Sequence, residues 1–225
     1  DNDLWGTDTT FGFQSAIGIA TDAIDCIHTT AASHNRVFMV EIMGHKAGWL
    51  TLNAGMAGGA DIILIPEIPY NIDSVVAKID QRANEGHGFT ILAVAEGAMS
   101  KKEAAMPKKE YKAHMAEVLE KYPSVSYAIA DKILKKTGKE VRVTVPGHMQ
   151  RGGTPCAYDR VLSSRLGATA ALMISREEYG NMVAIQDHVI TSVPLKEVAG
   201  KLKTIDPQSD IITEARLLGI SFGDD

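Results

Sequence analysis

Three short, nearly unbroken apolar runs, separated by stretches of helical period, constrain this chain more than any other feature. They are Arg36 to Met43, Asp61 to Pro66 and Phe89 to Ala95. A strand with one wet face alternates apolar and polar residues; these runs do not, so each is read as a strand covered on both faces. The first gap holds Ala47-Gly48-Trp49-Leu50 and then Ala54-Gly55-Met56-Ala57-Gly58-Gly59-Ala60. Its small residues suit a helix packed closely on a sheet and ending at glycine. In the second gap Ile72, Val75, Val76, Ile79 and Ala83 form a helical stripe closed by Gly86, which completes a β-α-β-α-β order. Parallel strands with crossover helices satisfy that order, so the expected class is α/β.

The flanks extend this layer. Thr10 to Ser33 carries a mostly helical pattern, and Ser124 to Thr137 is an amphipathic helix stopped by Gly138, followed by a strand from Val141 to Val145 that ends at Pro146-Gly147. Ser100 to Glu120, polar and rich in lysine, reads as an excursion with at least one helix, beginning near Lys109. Beyond it we expect a long helix from Pro155 to Ile174, a brief strand at Val183-Ala184-Ile185, a short helix from Pro194 to Ala199, and a mixed end from Asp206.

Bulk properties exclude some functions. With 225 residues, 45% hydrophobic, the chain has material for a sizeable core. A net charge of −5 argues against a nucleic-acid-binding face, which needs clustered Lys and Arg. No apolar run approaches the roughly 20 residues of a membrane span, so no membrane role is expected. Two cysteines, Cys26 and Cys156, lie far apart without metal-ligand spacing, which suits a reducing, cytoplasmic setting. The chain opens on an aspartate and runs at once into a polar segment, so further protein is expected upstream.

Three anion-suited clusters fall at expected strand ends, where ligands gather in open α/β sheets. They are Asp1-Asn2-Asp3, Met43-Gly44-His45, and Gly147-His148-Met149-Gln150-Arg151-Gly152-Gly153. The last combines two cations, an amide and three glycines. Main-chain N–H groups there could approach a phosphate that Arg151 clamps, although a glycine-rich solvated turn has the same composition. Asp1 and Asp3, two apart, could place one carboxylate on a substrate hydroxyl and the other on a metal–phosphate; the same tripeptide also makes an Asx turn.

Taken together, the segments are specific. Asp1 to Phe13 resembles the stretch of the phosphofructokinase A family that begins inside its Thr-Ile-Asp-Asn-Asp motif. Ser33-His34-Asn35-Arg36 through Val40-Glu41-Ile42-Met43-Gly44, Ala57-Gly58-Gly59-Ala60 through Ile65-Pro66-Glu67, and Gly147 to Pro155 with Tyr158-Asp159-Arg160 and Ser164 to Ala168 are similar to three further family segments in the same order. The resemblance covers roughly residues 1 to 190.

It implies a 6-phosphofructokinase, which moves a phosphoryl group from ATP or pyrophosphate to the 1-hydroxyl of fructose 6-phosphate in glycolysis. It implies a phosphofructokinase-like, Rossmann-like three-layer fold with mainly parallel sheets in two domains, the donor-side one incomplete. On this reading 1–11 form the edge of the donor-side domain with the catalytic loop, 12–149 the sugar-phosphate domain, and 150–225 a return into the donor side and a C-terminal crossing segment. Asp1 becomes the base and Asp3 the Mg²⁺ ligand. Met43, Gly44, Glu96, His148 and Arg151 become sugar-phosphate contacts, with Arg36 and Arg142 reaching into a neighbour's site, which implies a homodimer or homotetramer. His45 departs from the family, which has Arg there; histidine titrates near neutrality and supplies less fixed charge. Positions matching the family's basic effector residues are His28, Glu85 and His87 beside a retained Glu67, so control by ADP or phosphoenolpyruvate is not expected. The segments that separate ATP from pyrophosphate users lie upstream of Asp1, so the donor stays open. A different class, a sugar-phosphate-binding regulatory module without turnover, also fits a piece that lacks most of the donor site, and the piece alone is expected to be inactive.

Overall fold

The structure is a computed structural model that describes residues 1–31 and 36–224. Ser33, His34 and Asn35 of the quoted motif lie outside the described residues. A four-stranded parallel sheet has the order β2-β3-β1-β4, built from β1 (Val37–Ile42), β2 (Ile62–Leu64), β3 (Thr90–Ala95) and β4 (Val141–Thr144). Its register runs from Val37 opposite Thr90 to Ile42 opposite Ala95, and β1 and β3 are buried at every position. The two longest apolar runs thus take the two central places, where both faces are covered.

Helices α1 (Phe13–Ala31) and α2 (Trp49–Ala57) cover one face, on which Phe38, Val40, Ile42, Ile63 and Ala93 meet Ala20, Ile24, Leu52 and Ala54. Helices α3 (Ile72–Asn84) and α6 (Val125–Thr137) cover the other, where Met39, Leu64, Leu92 and Val94 meet Val75, Ile79, Ile129 and Ile133. The small residues of α2 act as the sequence implies. A Cβ on Gly55 would stand 2.8 Å from the Ile63 Cδ1 atom and 3.1 Å from the Ala93 Cβ atom, so only glycine lets the helix come this near the sheet.

The polar excursion holds two helices, α4 (Lys101–Ala104) and α5 (Lys108–Lys121). A reciprocal capping box starts α4: the Ser100 hydroxyl accepts from the Glu103 N–H, and the Glu103 carboxylate accepts from the Ser100 N–H. A long helix α7 (Ala157–Ser175) follows, then β5 (Asn181–Gln186) and β6 (Val189–Pro194) in an antiparallel hairpin, α8 (Leu195–Val198), and α9 (Asp210–Leu217).

Two expectations change. The second apolar run is strand only over Ile62–Leu64; Ile65 stays buried, but the chain has left the ladder. β6 has no counterpart in the sequence reading. Its turn, Asp187-His188, has both residues at positive φ (49° and 67°), as a tight two-residue hairpin requires, yet lacks the glycine that advertises one. The end of the chain also returns to the first layer. Ile205, Ile212, Ala215, Ile220 and Phe222 join the α1/α2 side of the core, and the Ser221 backbone pairs with Asp61 and Ile63 beside β2.

Candidate active site

The crossover after β1 leaves through α2 on one face, and the path after β3 leads through α6 on the other. These neighbouring strands therefore open a crevice beyond their carboxyl ends. Met43 and Gly44 follow β1 there and Glu96 follows β3; the Glu96 Oε1 atom accepts the Gly44 N–H at 3.4 Å. The two ends press together: a Cβ on Gly97 would collide with the His45 carbonyl oxygen, and one on Gly44, at φ 139°, would lie 2.7 Å from the Ala47 carbonyl oxygen. Beyond β4 the chain enters a 3₁₀ turn, Gly147–Arg151, that leans over the same crevice. From it, the buried Gln150 side chain accepts the Met43 N–H at 3.2 Å, and the Arg151 Nε atom lies 3.4 Å from the Met43 Sδ atom.

A cavity of about 450 Å³ results, lined by Asp1, Asp3, Met43, Arg151 and the start of α1. Four of the residues singled out in the sequence thus share one space. His148 is exposed on the 3₁₀ turn and does not line this cavity, nor does Glu96. His45 lines a separate cavity of about 540 Å³ with Lys46, Glu67 and Tyr111. Arg36 and Arg142 sit at the other end of the sheet, where both grip Glu140, through Arg36 Nε at 3.1 Å and Arg142 Nη2 at 2.7 Å. Arg36 precedes β1 and Met43 follows it, so at ~3.3 Å per residue roughly 20 Å of strand divides these cations from the cavity. They cannot serve the cavity of their own chain.

Two residues that support the site, Lys203 and Asp159, were given no role by the sequence, although Asp159 lies in a matched segment. Lys203 is half-buried, and its ammonium donates to Asn2 Oδ1 at 3.0 Å and to the Thr7 and Asp8 carbonyl oxygens at 2.8 Å each. Burial lowers its pKa to about 8 against the pull of Asp8 and Asp3. Asp159 on α7 is 2% exposed, and its Oδ2 atom accepts the Ser15 N–H at 2.7 Å and the Ser15 hydroxyl at 2.5 Å, at the start of α1. Burial works against ionisation of this carboxyl, but the Ser15, Gly12 and Cys156 donors outweigh it and hold the pKa below the ordinary value.

A carboxyl so held stabilises the fold above its unfolded pKa, and the contribution disappears as pH falls through the folded pKa. Asp159→Asn is therefore expected to lower Tm at pH 7 by several degrees, since losing a charged partner of buried donors costs ~1–3 kcal/mol and each kcal/mol moves Tm ~2–4 °C at this size. The gap between wild type and variant should close below about pH 4. Thermal melts at pH 7 and pH 3 read both effects; a gap unchanged at pH 3 would mean that the carboxylate charge is not what matters.

Glu67 and His28 are occupied internally. The Glu67 carboxylate accepts the Gly48 N–H through both oxygens, at 3.0 and 3.1 Å, and the Ile205 N–H at 3.0 Å. The His28 Nε2 atom lies 2.7 Å from the Gly58 carbonyl oxygen.

With this geometry in view, the relationships to known proteins are decisive. The family model described as phosphofructokinase matches residues 1–174. The chain belongs to the phosphofructokinase family. It is 52% identical over 224 residues to the ATP-dependent 6-phosphofructokinase of Spirochaeta thermophila and 49% identical over 225 to that of Chloroflexus aurantiacus. All of this chain is covered in both cases, but it spans 61% of the length of each relative. Among solved structures, Pichia pastoris phosphofructokinase in the T-state superposes on 88% of the chain with a TM-score of 0.70 and 36% identity, using 21% of its own chain. The pyrophosphate-dependent phosphofructokinase of Marinobacter aquaeolei shares the fold at a TM-score of 0.72 and 23% identity, over 93% of this chain and 53% of its own. The expected fold class and family are thus established.

Proposed function

We propose that this phosphofructokinase-family chain carries the acceptor half of a 6-phosphofructokinase site, transferring a phosphoryl group from ATP to the 1-hydroxyl of fructose 6-phosphate. The observation that supports it most is the convergence of Asp1, Asp3 and Arg151 on one cavity from segments about 150 residues apart. Phosphoryl transfer depends chiefly on positioning and on offsetting charge, with a carboxylate to orient the attacking hydroxyl. Asp1 accepts the 1-hydroxyl proton as the bond to phosphorus forms, and Arg151 holds the 6-phosphate. Met43 lies on the floor beneath the sugar, with Gly44 and Glu96 fixing the strand ends behind it, while His148, outside the cavity, would reach the sugar only by a movement of the 3₁₀ turn.

Magnesium fits the donor set. Asp1 and Asp3 present hard carboxylate oxygens, while no group of three or more His, Cys, Asp or Glu able to hold a metal occurs among the described residues. One or two carboxylates completed by substrate phosphates is the usual Mg²⁺ arrangement. Asp3 would hold the ion, which when bound offsets the charge of the donor phosphates. The Arg36–Glu140–Arg142 cluster, turned away from this cavity, suits a neighbouring subunit's site and hence a dimer or tetramer. ATP is preferred over pyrophosphate because the relatives near 50% identity are named ATP-dependent. A turnover-free binding module would not need the Asp1 carboxylate in the cavity. The free Cys26 and Cys156 thiols and the glycolytic reaction fit a cytoplasmic setting.

The test is steady-state kinetics of the protein at its natural full length with fructose 6-phosphate, Mg²⁺ and either donor. Turnover with ATP at least tenfold faster than with pyrophosphate is expected; turnover with neither donor would refute the reading. The carboxylate and imidazoles at the effector positions make a poor phosphate site, so ADP should leave the fructose 6-phosphate saturation curve hyperbolic. A sigmoidal curve that ADP shifts would overturn that part.

A further inference from the structure

Lys203 and Asn2, to which the family reading assigns no role, form one device that joins distant parts of the chain. The Asn2 backbone lies in the left-handed region at φ 56°, and the residue is only 6% exposed. A non-glycine residue persists there only when its surroundings fix it. The fixing contacts are visible: Asn2 Oδ1 accepts the Thr10 N–H at 3.0 Å and the Lys203 ammonium, 201 residues away in sequence, also at 3.0 Å. Bonds to the Thr7 and Asp8 carbonyl oxygens use the remaining donors of the ammonium. The Lys203 backbone also takes part, its N–H donating to the Asp3 carbonyl at 2.8 Å and its carbonyl accepting the Trp49 indole N–H at 2.9 Å. Trp49 begins α2, so the loop that carries Asp1 and Asp3 is tied to the sheet layer holding Met43 and Gly44.

We propose that Lys203 is a positioning residue for phosphoryl transfer: by clamping Asn2, Thr7 and Asp8 it holds the Asp1-Asn2-Asp3 loop in the left-handed turn that presents both carboxylates to the cavity. The inference rests on Asp1 being the base. Lys203 reaches no reacting atom and acts through the loop. A carboxylate displaced by about 1 Å can cost ~10²-fold in rate without weakening ground-state binding.

The experiment compares Lys203→Met, which keeps the buried stem and removes the donors, with Lys203→Arg, Asn2→Gly and Asp1→Ser in the full-length protein. Lys203→Met should lower kcat ~10–100-fold with the fructose 6-phosphate KM within about threefold, Lys203→Arg should recover part of the loss, and Asn2→Gly combined with Lys203→Met should be no worse than the poorer single variant, because both open one clamp. Should Lys203→Met fail to fold, Asn2→Gly alone must show the same fall in kcat at unchanged KM. The proposal is overturned if Lys203→Met, or Asn2→Gly in its place, lowers Tm but keeps kcat within twofold, since the tie would then be merely structural. An Asp1→Ser protein whose kcat stays within about tenfold of wild type would remove the underlying reading instead, whereas a strongly impaired Asp1→Ser beside a Lys203→Met of near wild-type kcat would remove only the clamp.

Discussion

Asp1→Ser in the full-length protein is expected to lower kcat ~10²–10⁴-fold, the range a positioned general base supplies, while fructose 6-phosphate binding stays within about threefold of wild type. The split follows from where the carboxylate stands. Asp1 is exposed and lines the cavity, so serine leaves no buried donor unpaired and no void in a packed core. The loop conformation is held by Asn2 and not by Asp1. What is lost is therefore an interaction realised only as the hydroxyl proton moves. Calorimetric titration of the sugar phosphate alongside turnover distinguishes this outcome from a collapse of the site, in which both quantities would fall together.

Arg151→Gln should do the reverse. Its guanidinium is exposed toward the cavity, with Nε 3.4 Å from the Met43 thioether, and among the described residues no carboxylate forms an ion pair with it. A charge-assisted bond to a phosphate contributes ~1.5–3 kcal/mol, and its removal should raise the fructose 6-phosphate KM ~10–100-fold with a smaller change in kcat. An unphosphorylated sugar, already lacking the group that Arg151 holds, should bind the variant and the wild type alike. If the variant's KM for fructose 6-phosphate is unchanged, the 6-phosphate lies elsewhere.

How much of this could be read in advance depended on the range of the interaction behind each feature. The buried strands β1 and β3 were legible because every position is apolar, a local signal that survives without knowledge of the partner strand. The tight packing of α2 was legible because glycine and alanine have few other reasons to cluster. Asp187-His188 was not, because a turn with two positive φ values normally announces itself by Gly or Asn, and here the strands on either side impose it. For the site, Asp1, Asp3, Met43 and Arg151 were found from motif order, and their meeting in one cavity follows from the sheet topology. Lys203 was invisible, and Asp159, though inside a matched segment, carried no sign of its role, for a physical reason. A lone Lys in Leu202-Lys203-Thr204 or Asp in Tyr158-Asp159-Arg160 reads as a solvated charge until a partner 201 or 144 residues away removes it from water. Glu67 shows the converse: its match to an effector-site position was legible, and its service to the Gly48 and Ile205 N–H groups was not.

The central claim concerns which oxygen is phosphorylated, and ³¹P NMR of the product formed by the full-length protein from fructose 6-phosphate and Mg²⁺-ATP reads it directly. A new phosphomonoester resonance on carbon 1, growing at the rate ATP is consumed and slowed ~10²-fold or more with Asp1→Ser, is the predicted result. ATP consumed with phosphate released to water, or a phosphomonoester at any other carbon, would contradict it.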